Sequence, residues 1–299
     1  GKIPAVIYGH GTSPVHVALP GHQVALLVRR ANAVLELSVA GKQQLTLVKD
    51  VQKDPVHQII EHDAANAPRT LQKRIGPSEL GVACDRCLVH MLAGTPKAEQ
   101  GVPWLPWIGT AVHAAVEDAI VRSMLADLKA GVRDMDEWIV EGDVVVGDID
   151  GEPISGHCDL LHVPTGTVID HKVVGASTLK KVGREGAGTS LTYRRQAHLY
   201  GRGFALLGHD VRAVAINYLP RNAMSLASAR VFAEPYDEAI ALEALERASN
   251  FAQWIRLFGA DAVLAGCAPH TDTEFSCSAF PDASSTSSTP GPAEFLGVA

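Results

Sequence analysis

The chain has 299 residues, 46% of them hydrophobic and 20% charged, and carries a net charge of −7. That is enough chain for a sizeable core, and no apolar run approaches the ~20 residues a membrane-crossing helix needs. Five scattered cysteines (Cys84, Cys87, Cys158, Cys267, Cys277) argue against a secreted disulfide framework and for a reducing compartment. No secretory signal opens the chain, and a start at Gly1 rather than Met implies a trimmed terminus.

Charge is unevenly spread. From Glu117 to Asp159 there are twelve acidic residues against three basic ones; from Lys180 to Arg221 there are eight basic against two acidic. The first stretch suits divalent cations and the second a polyanion, though solvated faces would explain both equally well.

Residues 1–53 read as a small β-rich extension, with strands in AVIYG, QVALLVRR, AVLELSVA and QLTLVKD broken by Gly and Pro. His10, His16 and His22 lie there without ligand-like spacing and read as surface histidines. A helix is predicted near 55–65, then a polar link to IGPSELGVACDRCLVHMLAG. GTAVHAAVEDAIVRSMLADLKAG predicts a long helix, with Thr110 as its cap and Val112, Val116, Ala119 and Ile120 as its apolar stripe. His113 and Glu117 share one edge of it.

Three strands follow: WIVEGDVVV turns through DIDG into PISGHCDLLHV, which turns at PTG into TVIDHKVV. A glycine-rich basic loop precedes a helix at LTYRRQAHLYGRGFALLG, a strand at VRAVAINYLPR and a long helix over 237–258. Residues 54–282 thus predict one α/β domain, a mixed sheet flanked by helices with the site at its edge. The tail, 283–299, is low-complexity and expected to be disordered.

The run VIDHKVV is composed like a buried strand yet carries two charges, which burial penalises unless they are compensated. Strand alternation puts Asp170 and Lys172 on one face and His171 on the other. The preceding hairpin strand can bring Asp159 beside Asp170. Two carboxylates, an ammonium and the His171 carbonyl then converge, a donor set suited to Mg²⁺-assisted phosphodiester hydrolysis.

These motifs, in order, resemble the PD-(D/E)XK nuclease superfamily, in particular RecB-type and CRISPR-associated exonucleases and their phage-encoded relatives. GTAVHAAVE looks like the helix with the metal-binding histidine, here His113. GHCDLL looks like the first acidic motif (Asp159), IDHK like the acid-x-lysine core (Asp170, Lys172), and QAHLY like the Q-x-x-x-Y helix (Gln196, Tyr200). The resemblance covers about half of the chain.

It implies a restriction-endonuclease-like core and a Mg²⁺- or Mn²⁺-dependent deoxyribonuclease of phage or bacterial recombination and repair, working in the bacterial cytoplasm. His113, Asp159, Asp170 and the His171 carbonyl would hold metal. Lys172 would assist the attacking water, while Gln196 and Tyr200 would orient substrate. Lys180, Lys181, Arg184, Arg194 and Arg195 are candidate phosphate contacts, insensitive to base sequence and sensitive to salt. Ser78 and Arg86 are further DNA candidates, with helix capping and a salt bridge as the plainer alternatives.

DNA is the implied substrate, a single-strand annealing protein the implied partner, and oligomers occur in the superfamily. A structure-selective or restriction-like endonuclease, or an inactive DNA-binding relative, would share the pattern. Some relatives bind an iron–sulfur cluster through one cysteine before the core and three after it. Here two precede and two follow, so a cluster or a zinc ion on Cys84, Cys87, Cys267 and Cys277 is the lesser expectation and buried free cysteines the greater. The glycines of GRGFALLG follow a helical pattern and do not predict a dinucleotide site.

Overall fold

In the structure, a computed structural model, residues 2–7, 15–20, 55–66, 75–98, 101, 103–132, 137–183, 186–270 and 275–280 are described. The chain divides into two compact units, residues 1–58 and 59–299. In the first, β1 (Lys2–Ile7) pairs antiparallel with β2 (Val15–Pro20), Ala5 opposite Val17. The other three strands expected there, the histidines His10 and His22, Arg184 and the low-complexity tail all lie outside the described residues.

Helix α1 (Pro55–Asn66) crosses the division. In the second unit come α2 (Pro77–Leu80), α3 (Asp85–Leu92) and the long α4 (Trp104–Ala130). Strands β3 (Trp138–Ile149), β4 (Glu152–His162) and β5 (Thr167–Val174) follow. Then α5 (Ala176–Val182) and α6 (Leu191–Leu206) lead to β6 (Ala213–Pro220) and β7 (Arg230–Pro235). Helices α7 (Glu238–Phe258) and α8 (Ala260–Gly266) complete the regular elements.

The fold is mixed α/β: five strands in the order β3-β4-β5-β6-β7, with only the β5–β6 pair parallel, flanked by helices. The DIDG turn closes β3 onto β4 with Asp150 and Gly151 both at positive φ, 58° and 81°, as a tight two-residue hairpin requires. Helix α6 packs on β3, β5 and β6, and α7 packs on α6. A Cβ at Gly203 would lie 2.6 Å from Val144 Cβ, so this glycine sets how closely α6 approaches β3. Gly201, where a Cβ would lie 2.7 Å from the Tyr236 ring, serves packing likewise. Around this contact Val144, Phe204, Val168, Leu199, Ile216, Tyr218 and Ala244 form the core.

Polar groups pin α6 to its neighbours. Arg194 Nε and Nη2 donate to the two Glu234 oxygens on β7 at 2.8 and 2.7 Å. The fully buried His198 donates Nε2–H to Glu234 at 3.0 Å while its Nδ1 accepts from the Asp237 N–H. Burial pushes the Glu234 carboxyl up, but these bonds from Arg194 and His198 outweigh it and hold it below the ordinary value.

Helix α4 differs from expectation. It begins at Trp104, with Pro103 rather than Thr110 at its cap, and the Thr110 hydroxyl donates to the Pro106 carbonyl one turn back. Among its described residues none is fully buried. The stripe of Val112, Val116 and Ile120 is half-buried and Ala119 is exposed. The helix touches the sheet at β3 and β5 and leaves Leu105, Val121, Leu125 and Leu128 exposed.

Candidate metal-dependent active site

The candidate site lies at β4 and β5, interior strands of the sheet and not its edge. The two strands pair over three registers, Leu160–Ile169, Leu161–Val168 and His162–Thr167. Continuing that register would set Asp159 opposite Asp170, but there the ladder stops. The His171 N–H donates instead to Asp159 Oδ2 at 2.5 Å, and Asp159 Oδ1 lies 3.0 Å from His113 Nδ1, delivered by α4.

Asp170 and Lys172 share a face of β5, their charged atoms 2.7 Å apart. Lys172 Nζ donates to Gln196 Oε1 on α6 at 2.9 Å, and Gln196 Nε2 donates to the Tyr200 hydroxyl at 3.4 Å. The ammonium also lies 4.9 Å over the Tyr193 ring. Three groups, Asp170, Gln196 and the Tyr193 ring, thus fix the direction of the lysine. Gln196 and Tyr200 are only 3% and 6% exposed, with Gln196 bonded to Lys172 on one side and Tyr200 on the other; their role toward a substrate stays an expectation.

The two carboxyls titrate in opposite directions. Burial lifts Asp170 above the ordinary carboxylate value; the Asp159 charge adds to the rise, and Lys172 opposes it without cancelling it. Burial also pushes Asp159 up, but the His113 hydrogen bond and charge, the His171 N–H and Lys172 together hold it low. Adjacent carboxyls driven apart in this way are typical of functional sites.

His171 projects to the other face of β5, where Asn217 Nδ2 donates to its Nδ1 at 3.2 Å and its ring meets His113 edge-on at 5.9 Å. Burial holds the imidazole below its usual pKa. Its Nδ1 accepts, so the proton sits on Nε2. Of the His171 main chain, the group with a defined role is the N–H bound to Asp159; the carbonyl stays an expectation.

Two acidic residues join the site that the motifs did not assign to it. Glu117 and Glu141 line one recess with His113, Asp159, Leu160 and His171. Burial raises the Glu141 carboxyl, and the charges of Asp159 and Glu117 raise it further. Glu141 also holds a left-handed backbone, φ 48°, which costs a non-glycine residue about 1 kcal/mol or more. Strain of this kind gathers at functional sites. The spacing of Glu117 from His113 was a visible signal; Glu141, in an ordinary strand sequence, offered none.

The basic residues divide. Lys180 and Lys181 are exposed on α5. Arg194 is committed to Glu234, and Arg195 is 7% exposed and pairs with Glu243. Arg86 Nη1 donates to the Leu264 carbonyl at 2.8 Å, and the Ser78 hydroxyl to Glu79 Oε2 at 2.9 Å. All four are engaged within the fold, which for Ser78 and Arg86 is the plainer of the two alternatives the sequence left open; contact with DNA stays an expectation for each.

The cysteine set also changes. Cys84, Cys87 and Cys277 gather with His270, not with Cys267, whose thiol donates to the Val263 carbonyl in its own helix at 3.3 Å.

Comparison with known proteins finds two kinds of likeness. Residues 1–63 match the Ribosomal L25p family. The large ribosomal subunit protein bL25 of Leifsonia xyli subsp. xyli is 76% identical over 62 residues, 21% of this chain and 31% of that protein. That of Streptomyces avermitilis is 49% identical over 61 residues, 20% of this chain and 31% of the protein. The chain therefore spans about a third of the length of these curated relatives. Among solved structures, the alkaline exonuclease LHK-Exo of Laribacter hongkongensis aligns with a TM-score of 0.38 at 12% identity, covering 65% of this chain and 91% of its own. Its complex with dAMP aligns at 0.34 with the same identity and coverage. Among the described residues no helix is long and apolar enough to cross a membrane.

Proposed function

We propose that the second unit is a divalent-metal-dependent deoxyribonuclease of the PD-(D/E)XK type, acting as an exonuclease in phage or bacterial DNA recombination and repair. One observation carries the reading: His113 contacts Asp159, Lys172 contacts Asp170, and the His171 N–H between the last two binds Asp159, so four residues expected from three motifs lie in two linked pairs. The motif order and the exposed Lys180 and Lys181 beside the site support it.

The donor set fits a hard divalent ion. Asp170 Oδ2 is buried and accepts no directed hydrogen bond although an ammonium is near. His113 Nδ1 and Asp159 Oδ1 stand 3.0 Å apart, close to the ~3.0 Å between adjacent ligands of an octahedral ion held at about 2.1 Å. His113, Asp159 and Asp170 would hold Mg²⁺ or Mn²⁺, with the His171 carbonyl as a further donor. Such an ion lowers the pKa of bound water and offsets charge on the phosphate. Lys172, locked by Asp170 and Gln196, stabilises charge developing on the scissile phosphate and orients the attacking water. Gln196 and Tyr200 position that lysine.

The ribosomal-protein-like residues 1–63 are proposed as a separate module that leaves this chemistry to the second unit. A single-strand annealing protein is the proposed partner.

The test is release of label from end-labelled linear DNA, with Mg²⁺, with Mn²⁺ and with EDTA, for the wild type and Lys172→Ala. Metal-dependent release lost in the variant is expected; release that survives EDTA or loss of the lysine would overturn the mechanism. Cutting of covalently closed circles would point to an endonuclease on the same scaffold.

A further inference from the structure

Away from the carboxylates, three thiols and an imidazole converge at the start of α3. Cys84 is the residue before the helix and Cys87 lies in its first turn. His270 follows α8, and Cys277 sits in the short 3₁₀ turn Phe275–Ala279. One ligand atom from each lies within 4.8 Å of all the others, and all three cysteines are buried. Cys84 Sγ is 3.4 Å from His270 Nδ1, Cys87 Sγ is 3.6 Å from it, and Cys87 and Cys277 sulfurs are 3.6 Å apart.

These three distances suit edges of a small tetrahedron, and the other three edges are within 4.8 Å. An ion bound to sulfur at ~2.3 Å and to nitrogen at ~2.05 Å sets S···N edges near 3.6 Å and S···S edges near 3.8 Å. A disulfide between Cys87 and Cys277 would need sulfurs at about 2.05 Å. An iron–sulfur cluster, which the nuclease resemblance brings into view, does not fit: its irons and sulfides lie inside the ring of terminal thiolates and would hold them farther apart. Its family arrangement, one cysteine before the core and three after, is also not what this chain offers.

The surroundings accept the negative charge that three thiolates leave on a zinc centre. Both thiols of the CxxC lie at a helix N-terminus, where the dipole favours anions. The Arg247 guanidinium reaches in from α7, donating to the carbonyls of Leu80, Val82 and Ala83 and to Asp85. We propose that Cys84, Cys87, His270 and Cys277 bind a single structural zinc ion. It clasps the segment after α8 onto the N-terminus of α3. The Ala98 N–H to Ala279 carbonyl bond, 2.9 Å, ties the same two regions.

The test is elemental analysis of the purified full-length chain together with its visible spectrum. Stoichiometric zinc in a colourless protein is expected; iron with acid-labile sulfide, or no bound metal, would overturn the proposal. After dialysis against a mild chelator, Cys277→Ser and His270→Ala should lose the zinc while Cys267→Ser and Cys158→Ser keep it. Zinc lost from Cys267→Ser, or kept by both ligand variants, would overturn the ligand set. Should the ligand variants not fold, Co²⁺ replacement in the wild type decides: intense tetrahedral d–d bands with thiolate charge transfer support the site, and a weak octahedral spectrum refutes it.

Discussion

At β4 and β5 the functional groups are oxygen-rich and sit on a sheet, where neighbouring strands and two helices set each side chain. At the start of α3 the groups are sulfur-rich and are joined by parts of the chain more than 180 residues apart. The first region keeps a strained residue and mismatched carboxyls, as a site prepared for chemistry does. The second gathers three buried thiols and a half-buried imidazole, four donors in all, the number a closed structural zinc site uses. The proposed division is between a centre that exchanges its ligands and one that keeps them.

Substitutions should expose that division. The largest effect is expected for Asp170→Ala, which should lower metal-dependent DNA hydrolysis by roughly 10³-fold and leave the zinc content intact; equal loss of zinc would erase the distinction. Cys277→Ser should show the reverse, a melting temperature lower by roughly 5–10 °C with cleavage per folded molecule retained. Gln196→Ala should cost roughly 10-fold in kcat with little change in KM, because it removes the hydrogen bond that holds Lys172; a change confined to KM would assign Gln196 to the substrate instead.

A pH series sharpens the electrostatics. The Asp159 carboxyl is held low in the folded chain, so its contribution to stability is present above the ordinary carboxylate value and disappears as pH falls through the lowered one. The stability gap between wild type and Asp159→Asn should therefore close in acid, and a gap that persists below that value would refute the sign. Asp170, held high, acts oppositely: its cost is absent below the ordinary value and grows as pH rises through the raised one.

The smallest effect concerns salt. Lys180→Ala should reduce the salt slope of DNA binding by about 1, while Arg194→Ala, already paired with Glu234, should leave it unchanged.

Much of the candidate site's geometry could be read from the chain because its signals are local: alternation on β5 fixed the shared face of Asp170 and Lys172, and the i, i+4 step placed Gln196 with Tyr200. What escaped depended on distant partners. Glu234, in an unremarkable strand, takes Arg194 and His198. His270 replaces Cys267 in the thiol cluster because the turn after α8 brings the imidazole inward while the cysteine caps its own helix. The early start of α4 hid behind Pro103 and Pro106, residues that usually mark loops yet are tolerated in a first turn.

The premature end of the β4–β5 ladder also has a spectroscopic consequence. The His171 amide proton, bound to a carboxylate instead of a carbonyl, becomes a native reporter. Its NMR resonance should shift when Asp159 is protonated or recruited by an ion, so occupancy and ionisation could be followed at a single backbone signal without any label or substrate.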